Sequence, residues 1–310
     1  MIQTFKTLPA LFAAFPTEQS AVDHLTAIRF ANGKFCPLCG CADQDKIGRM
    51  SKAGVLTNQW KCYACREKFS IKVGTIFQDT KLPLRTWFAA IWMITNHPKG
   101  IASTTLATDL DITQKSAWFV LHRLRYASRT PSFNGNLSGD VEVDETFVGG
   151  REINKHADKR LNQGRGTVGK TPVVGAIERG GEVRLMVAKD VTASTLRRFV
   201  RANVEPGSRV LTDEYVGYNG LDMLYRHETI SHAAKEYVRG DAHTNSIESV
   251  WALLKRQIIG VHHWVSPKHL NAYATEMAYR LNRREMAKGD RVNALLAQVE
   301  GPLPYKVLIA

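Results

Sequence analysis

The sequence predicts a mixed α/β domain in its second half, preceded by a small metal-binding unit and a helical hairpin. Three observations carry this expectation. From residue 141 the apolar pattern changes from helical to strand-like: three strands in a meander, then a helix, a fourth strand and further helices. Cys36-Pro37-Leu38-Cys39 and Cys62-Tyr63-Ala64-Cys65 are two Cys-x-x-Cys turns with 22 residues between them. Two strand-like segments, Val141-Glu142-Val143-Asp144 and Arg209-Val210-Leu211-Thr212-Asp213, each end on an acid.

Taken in order, residues 17–31 carry Val22, Leu25 and Ile28 at helical spacing, with Thr17 as the start signal. Residues 34–77 form a cysteine-bearing unit that reads as poor in strands. Residues 84–97 are a strongly apolar helix through Trp87, Phe88, Ile91, Trp92 and Ile94. Ser103–Leu110 and Gln114–Tyr126 read as two helices joined by Asp111-Ile112-Thr113, the length and polarity pattern of a helix-turn-helix. Residues 128–140 are a linker by composition. The strands are expected at Val141–Val148, Pro172–Ile177 and Val183–Val191, with Gly180-Gly181 as a hairpin turn. Ser194–Val204 is a helix, Arg209–Asp213 the fourth strand and Thr229–His232 a short fifth. Helices follow at 246–259 and 267–285. The expected boundaries are thus an N-terminal helical segment (1–33), a zinc ribbon (34–77), a helix-turn-helix (82–130), a catalytic domain (138–290) and a C-terminal tail (291–310).

A chain of 310 residues has room for about two domains of ~150 residues each. Its formal net charge is +13 and its pI about 9.6. Such a balance favours a polyanionic partner, because each phosphate neutralised releases counterions. The longest apolar run, Trp87–Thr95, is far short of the ~20 residues a membrane span needs. Leu8–Phe15, short and interrupted by Pro9, does not read as a signal peptide. Five clustered cysteines fit metal binding in a reducing cytoplasm better than disulfides.

Two Cys-x-x-Cys turns at this spacing present four thiolates tetrahedrally, which suits structural zinc held by Cys36, Cys39, Cys62 and Cys65. Cys41 is left over, a bystander or a competing ligand. Lys46, Arg49, Lys52, Lys61, Arg66, Lys68 and Lys72 give the ribbon a basic surface that serves either DNA contact or plain solvation.

Asp144 and Asp213 close their strands, and 34 residues lie between Asp213 and Glu248 on the helix that begins near His243. Adjacent strand ends would bring the two aspartates within a few ångströms. Like charges buried together cost several kcal/mol unless a cation neutralises them. Three carboxylates from separate elements suit a pair of divalent ions and phosphoryl transfer. Lys255 lies two helical turns after Glu248 and shares its face, so it can meet a phosphate beside the metal. Asn245, one turn before Glu248, can offer an oxygen instead. Glu145 and Glu214 follow the aspartates but point to the opposite face of their strands.

These residues together resemble a known family. Asp144-Glu145-Thr146-Phe147-Val148-Gly149-Gly150, Thr212-Asp213-Glu214-Tyr215, and His243-Thr244-Asn245-Ser246-Ile247-Glu248 with the later Leu254-Lys255-Arg256 are similar to the DDE-type insertion-sequence transposases. The likeness is to the branch with an N-terminal zinc ribbon, and it runs from Phe35-Cys36-Pro37 to Arg283-Arg284. It implies a ribonuclease H-like catalytic domain that cleaves DNA strands and transfers them with two Mg²⁺ ions, Mn²⁺ substituting. It assigns Asp144, Asp213 and Glu248 as metal ligands, with Asn245 as the alternative third ligand. The implied partners are double-stranded DNA, at the terminal inverted repeats and the target, and further copies of the chain. The implied location is the bacterial cytoplasm, at the nucleoid.

Residues 151–171 are glycine-rich and basic, with Arg151, Lys155, Arg160 and Arg165 placed either to clamp a DNA backbone or simply to solvate an insertion. Lys255, Arg256, Arg283 and Arg284 extend the basic set, with Arg280 expected on the same outward face of its helix. His262, His263 and Trp264 read as packing residues or contacts to a DNA end. Two other readings compete: a DNA-binding regulator with a dead catalytic half, and a metal-dependent nuclease that cuts without joining.

Overall fold

The structure is a computed structural model that describes residues 2–129, 135–150, 152–161, 166–230 and 243–309, apart from the Lys159 side chain. The chain divides into two compact units, residues 1–130 with 285–310 and residues 131–284.

The first unit opens with α1 (Leu8–Ala14) and α2 (Glu18–Arg29). Thr17 caps α2 reciprocally with Ser20 through a hydroxyl-to-amide bond of 3.1 Å. Three antiparallel strands follow in the order β1 (Ile47–Lys52), β2 (Val55–Cys62) and β3 (Lys68–Ser70). Residues 34–77 are therefore richer in strands than the sequence suggests. Val55 and Leu56 on β2 are exposed and only Trp60 and Cys62, at its end, are buried, so too little alternation marks the strand. α3 (Leu84–Asn96) buries residues on every side, from Trp87 to Thr95, and is the central helix of the unit. α4 (Ser103–Leu110) and α5 (Gln114–Ala127) are joined by Asp111 in the left-handed region at φ +50°, and Thr113 caps α5.

The second unit is a five-stranded sheet with helices on both faces. Its elements are β4 (Asp140–Val148), β5 (Thr171–Glu178), β6 (Val183–Val187), α6 (Ala193–Asn203), β7 (Arg209–Asp213), β8 (Arg226–Ile230), α7 (Asn245–Gln257) and α8 (Pro267–Asn282). The order is β6-β5-β4-β7-β8, with β5 antiparallel to both neighbours and β4, β7 and β8 parallel. This is the ribbon order of a ribonuclease H-like sheet. β8 begins three residues earlier than the expected Thr229–His232, whose last two residues fall outside the described set. Val141, Val143 and Val210 pack with Leu196 and Phe199 of α6 on one face. Val173 and Val183 pack with Ile247, Trp251 and Leu254 of α7 and with Leu270 and Met277 of α8 on the other. By strand alternation, Glu142 and Asp144 turn toward α7.

After α8 the chain returns to the first unit through α9 (Lys288–Leu296) and α10 (Tyr305–Ile309). The stretch read as a tail holds Val292, Leu295, Leu296 and Val299, all buried. Gly289 lets this segment lie directly on the chain near Phe5, where a Cβ would come within 2.4 Å of the Phe5 carbonyl oxygen.

Candidate active site

Strand β4 positions the first acid and β7 the second. Their parallel register pairs Glu142 with Leu211, and continuing it by two residues puts Asp144 level with Asp213. Asp213 ends β7 as expected, but Asp144 does not close its strand: β4 runs on to Val148, where its pairing with β5 continues. The backbone N–H of Tyr215 donates to Asp213 Oδ1 at 3.1 Å, fixing that carboxylate in the turn after β7. Helix α7 crosses β4 and β5 and carries Glu248. Trp251, one turn further on, donates its indole N–H to Asp144 Oδ2 at 2.8 Å. The residue paired with Asp144 on β5 is Gly175, and a Cβ there would meet the Trp251 ring at 2.5 Å. Only a glycine leaves room for the indole to lie on the sheet and reach the aspartate.

Burial pushes the Asp144 carboxyl up to about 6, and the charges of Asp213 and Glu248 add to this against the Trp251 bond. Asp213 and Glu248 thus both act on Asp144 through their charge, while among the described residues only the four cysteines gather at metal-ligand spacing. Glu145 points to the opposite face from Asp144, as expected, yet the charges of Asp144 and Asp213 still reach it. It sits on the α6 side of β4, accepts from the Tyr218 hydroxyl at 2.6 Å, and is pushed up to about 7 by burial, with Asp144 and Asp213 contributing. Oxygen ligands that repel one another in a half-buried place suit a hard divalent cation. Thr244 holds Glu248 from the preceding turn, with its hydroxyl 3.4 Å from Oε1. Asn245 is exposed at the first position of α7.

Sequence reasoning passed over Glu142, two residues before Asp144 on the same face. It is fully buried and bonded to the first turn of α7. The one signal for it was an acid at an inward strand position, alternating with Val141 and Val143.

The basic residues separate into groups. Lys255 and Arg256 are exposed on α7. Lys155 pairs with Glu152, and Arg160 donates to the carbonyls of Lys155 (2.9 Å) and Ile153 (2.8 Å). Arg151 and Arg165 lie outside the described residues. The Arg283 guanidinium stacks on Tyr279 at 3.9 Å, and Arg284 is exposed and donates to the Leu281 carbonyl at 3.1 Å. Arg280 is not on that outward face: it is buried, paired with Glu276 and bonded to Gln257 at 2.8 Å. Its helix position is covered by the end of α7, which helical periodicity alone does not reveal. His262 packs edge-on against Tyr273 at 4.7 Å, while Trp264 projects into solvent.

In the first unit Cys36, Cys39, Cys62 and Cys65 offer ligand atoms that all lie within 4.8 Å of one another, the one such group among the described residues. The Cys36–Cys65 and Cys39–Cys62 sulfurs are 3.8 Å apart. Chiefly through the backbone N–H of Cys65, the Cys62 thiol is pulled down to about 7. Four thiols at this spacing, one already biased toward thiolate, fit a tetrahedral zinc ion. Cys41 stands outside the group and packs into the ribbon core.

Residues 136–282 match the ISXO2-like transposase domain, and residues 16–68 match the transposase zinc-ribbon domain. A protein of Halobacterium salinarum, described as an uncharacterized protein in transposable element ISH50, is 30% identical over 285 residues, 88% of this chain and 93% of that protein. The chain belongs to the ISXO2-like transposase family. An uncharacterized transposase-like protein of Haemophilus influenzae is 27% identical to this transposase over 123 residues, 39% of this chain and 97% of that one. Among solved structures, a pre-cleavage Mos1 transpososome aligns at 13% identity over 65% of this chain and 78% of that chain, with a TM-score of 0.21. By its family domains the transposase is an insertion-sequence enzyme of the nucleotidyl-transfer kind with a zinc ribbon. Among its described residues no helix is long and apolar enough to cross a membrane.

Proposed function

We propose that this transposase binds the terminal inverted repeats of its own insertion sequence and catalyses DNA strand cleavage and strand transfer at Asp144, Asp213 and Glu248. The observation that carries the reading is the shared electrostatics of three acids supplied by β4, β7 and α7, with Asp144 pushed up to about 6. Two Mg²⁺ ions held there, or Mn²⁺ in their place, would supply charge neutralisation and an activated oxygen nucleophile. The chain's own part is positioning. Trp251 occupies Asp144 Oδ2, the Tyr215 amide occupies Asp213 Oδ1, and Thr244 steadies Glu248, so each acid has a set orientation. Lys255 and Arg256, exposed on the helix that carries Glu248, are placed to meet backbone phosphates. In this reading cleavage and joining both rest on holding the DNA ends in line. One acid set per chain and two ends per element call for at least two copies on the DNA.

The test is Mg²⁺-dependent nicking and strand transfer on DNA carrying the element's terminal repeats, with Asp213→Ala as the comparison. The expected result is cleavage and joined products with the parent and neither with the variant. Cleavage that survives in Asp213→Ala would refute the assignment. Cleavage without joined products would favour a nuclease of the same fold.

A further inference from the structure

Helix α7 begins in an unusual way. Elsewhere in the chain threonines at helix N-caps use their own hydroxyls, as Thr7, Thr17, Thr113 and Thr192 do. Thr244 is the N-cap of α7 and makes no such bond. The cap comes from another element. Glu142 on β4, 0% exposed, accepts from the amides of Ser246 (2.8 Å) and Ile247 (3.1 Å) and from the Ser246 hydroxyl (3.0 Å). A carboxylate at a helix N-terminus satisfies orphan amides and complements the helix dipole. With the amides served by Glu142, the Thr244 hydroxyl is turned to Glu248 Oε1 instead.

We infer that Glu142 is a positioning residue, which caps α7 from strand β4 and so sets Glu248 in register with Asp144. This rests on the reading of Asp144, Asp213 and Glu248 as the metal-binding acids. Glu142 and Asp144 lie two residues apart on one face of a strand paired on both sides. Two ties join that face to α7: Glu142 to Ser246 and Ile247, and Asp144 to Trp251. Glu248 falls between them in the sequence, so its position on the helix is bracketed by bonds to the strand that carries the first acid.

The buried charge is compensated locally. Arg179 donates its Nε to Glu142 Oε1 at 2.9 Å and an Nη2 N–H to the His243 carbonyl at 3.0 Å. His243 Nδ1 lies 3.2 Å from the same Glu142 oxygen. Arg179 also pairs with Asp140 at 3.7 Å, and its amide donates to the Asp140 carbonyl at 3.0 Å. The start of β4, the turn after β5 and the chain entering α7 are thereby tied together through Arg179 and Glu142. Losing either partner of such a pair leaves a buried group uncompensated.

A residue that merely stabilised the fold would change thermal unfolding and leave the metal requirement alone. One that places Glu248 changes the metal requirement, and unequally. Mg²⁺ demands near-ideal octahedral geometry, so a displaced ligand penalises it more than the more permissive Mn²⁺. The experiment measures cleavage of terminal-repeat DNA by the full zinc-loaded chain against Mg²⁺ and Mn²⁺ concentration, for the parent, Glu142→Gln, Ser246→Ala and an Asp144→Asn control. In Glu142→Gln the half-saturating Mg²⁺ should rise about tenfold and the half-saturating Mn²⁺ about threefold, with Mn²⁺ restoring most of the rate. Ser246→Ala keeps both amide bonds and loses only the hydroxyl, so its Mg²⁺ midpoint should rise roughly two- to threefold. Parent midpoints in Glu142→Gln, with only a lowered unfolding temperature, would reduce Glu142 to a folding role. If Glu142→Gln does not fold, an unchanged midpoint in Ser246→Ala overturns the inference. A parent with no metal-dependent cleavage, or an Asp144→Asn protein that still cleaves, would sink the reading of the acid site rather than the role of Glu142.

Discussion

The four thiols of the ribbon and the acids of the sheet are both gatherings of like-charged ligands, and they are built in opposite ways. Each pair of thiols comes from one short turn, and all four sulfurs close to within 4.8 Å of one another. The acids come from two strands and a helix, and each is held by the fold: Asp144 by Trp251, Asp213 by the Tyr215 amide, Glu248 by Thr244. The ribbon core is small, little more than Cys36, Ile47, Trp60, Cys62 and Phe69. The sheet has apolar clusters on both faces. A local site on a small core depends on its ion for its shape, whereas a long-range site on a large core keeps its shape and stores the repulsion as raised carboxylate pKa values.

The largest expected effect breaks the comparison on the zinc side. Structural zinc contributes on the order of 10–16 kcal/mol in small metal-dependent domains. Removing zinc with a strong chelator, or replacing Cys62 by Ser, should abolish amide protection in β1–β3 while the strands β4–β8 stay protected. Hydrogen exchange read by mass spectrometry checks this segment by segment. Full protection of 47–70 after quantitative zinc loss would mean that the ribbon core suffices alone.

A second contrast sharpens the acid side. Both Glu248 and Asn245 are exposed on the first turn of the helix, but Glu248 raises the Asp144 carboxyl through its charge while Asn245 is neutral. Glu248→Gln should lower cleavage of terminal-repeat DNA by ~100-fold or more, the loss of a transition-state contact of roughly 3 kcal/mol. Asn245→Ala should stay within about threefold of the parent. The reverse ranking of the two rates would hand the third position to Asn245.

The same contrast explains what could be read from the chain alone. The cysteine turns are legible because two residues between thiols fix a knuckle whatever surrounds them. α2 and α5 are legible because their apolar stripes and threonine caps lie within each segment, α3 because its apolar run is unbroken, and Asp213 because a strand that runs into an acid is a local pattern. Glu142 was not legible: its meaning depends on Ser246 and Ile247, over a hundred residues later, which cap and strand grammar cannot join. Arg280 looked like a surface cation until Gln257 and Glu276 covered it. The ribbon strands were hidden because β2 buries only Trp60 and Cys62, at its very end. The return of residues 285–310 was hidden because Val292, Leu295 and Leu296 bury against helices from the far end of the chain, among them α3.

The smallest expected effect joins the two halves of the comparison through pH. Asp144 and Glu145 are raised from 3.8 to about 6 and from 4.5 to about 7, in both cases chiefly by burial. With folded-state values above unfolded ones, their contribution to stability is fully present below about pH 4 and is lost as pH rises through 6 and 7. Zinc-loaded protein without other divalent ions should therefore lose sheet stability from these two groups between pH 5 and pH 8. Mg²⁺ binds the ionised acids, so it should raise the unfolding temperature of the second unit more at pH 8 than at pH 5. Each kcal/mol of binding linkage is worth roughly 4–8 °C in a domain of 60–100 residues and somewhat less in a larger one, so a shift of a few degrees is the scale to look for. Asp144→Asn should flatten the pH dependence and shrink the Mg²⁺ shift at pH 8. Equal Mg²⁺ shifts at the two pH values would mean that the acids meet the ion already ionised, and that the repulsion inferred from their burial is relieved by groups of the chain itself.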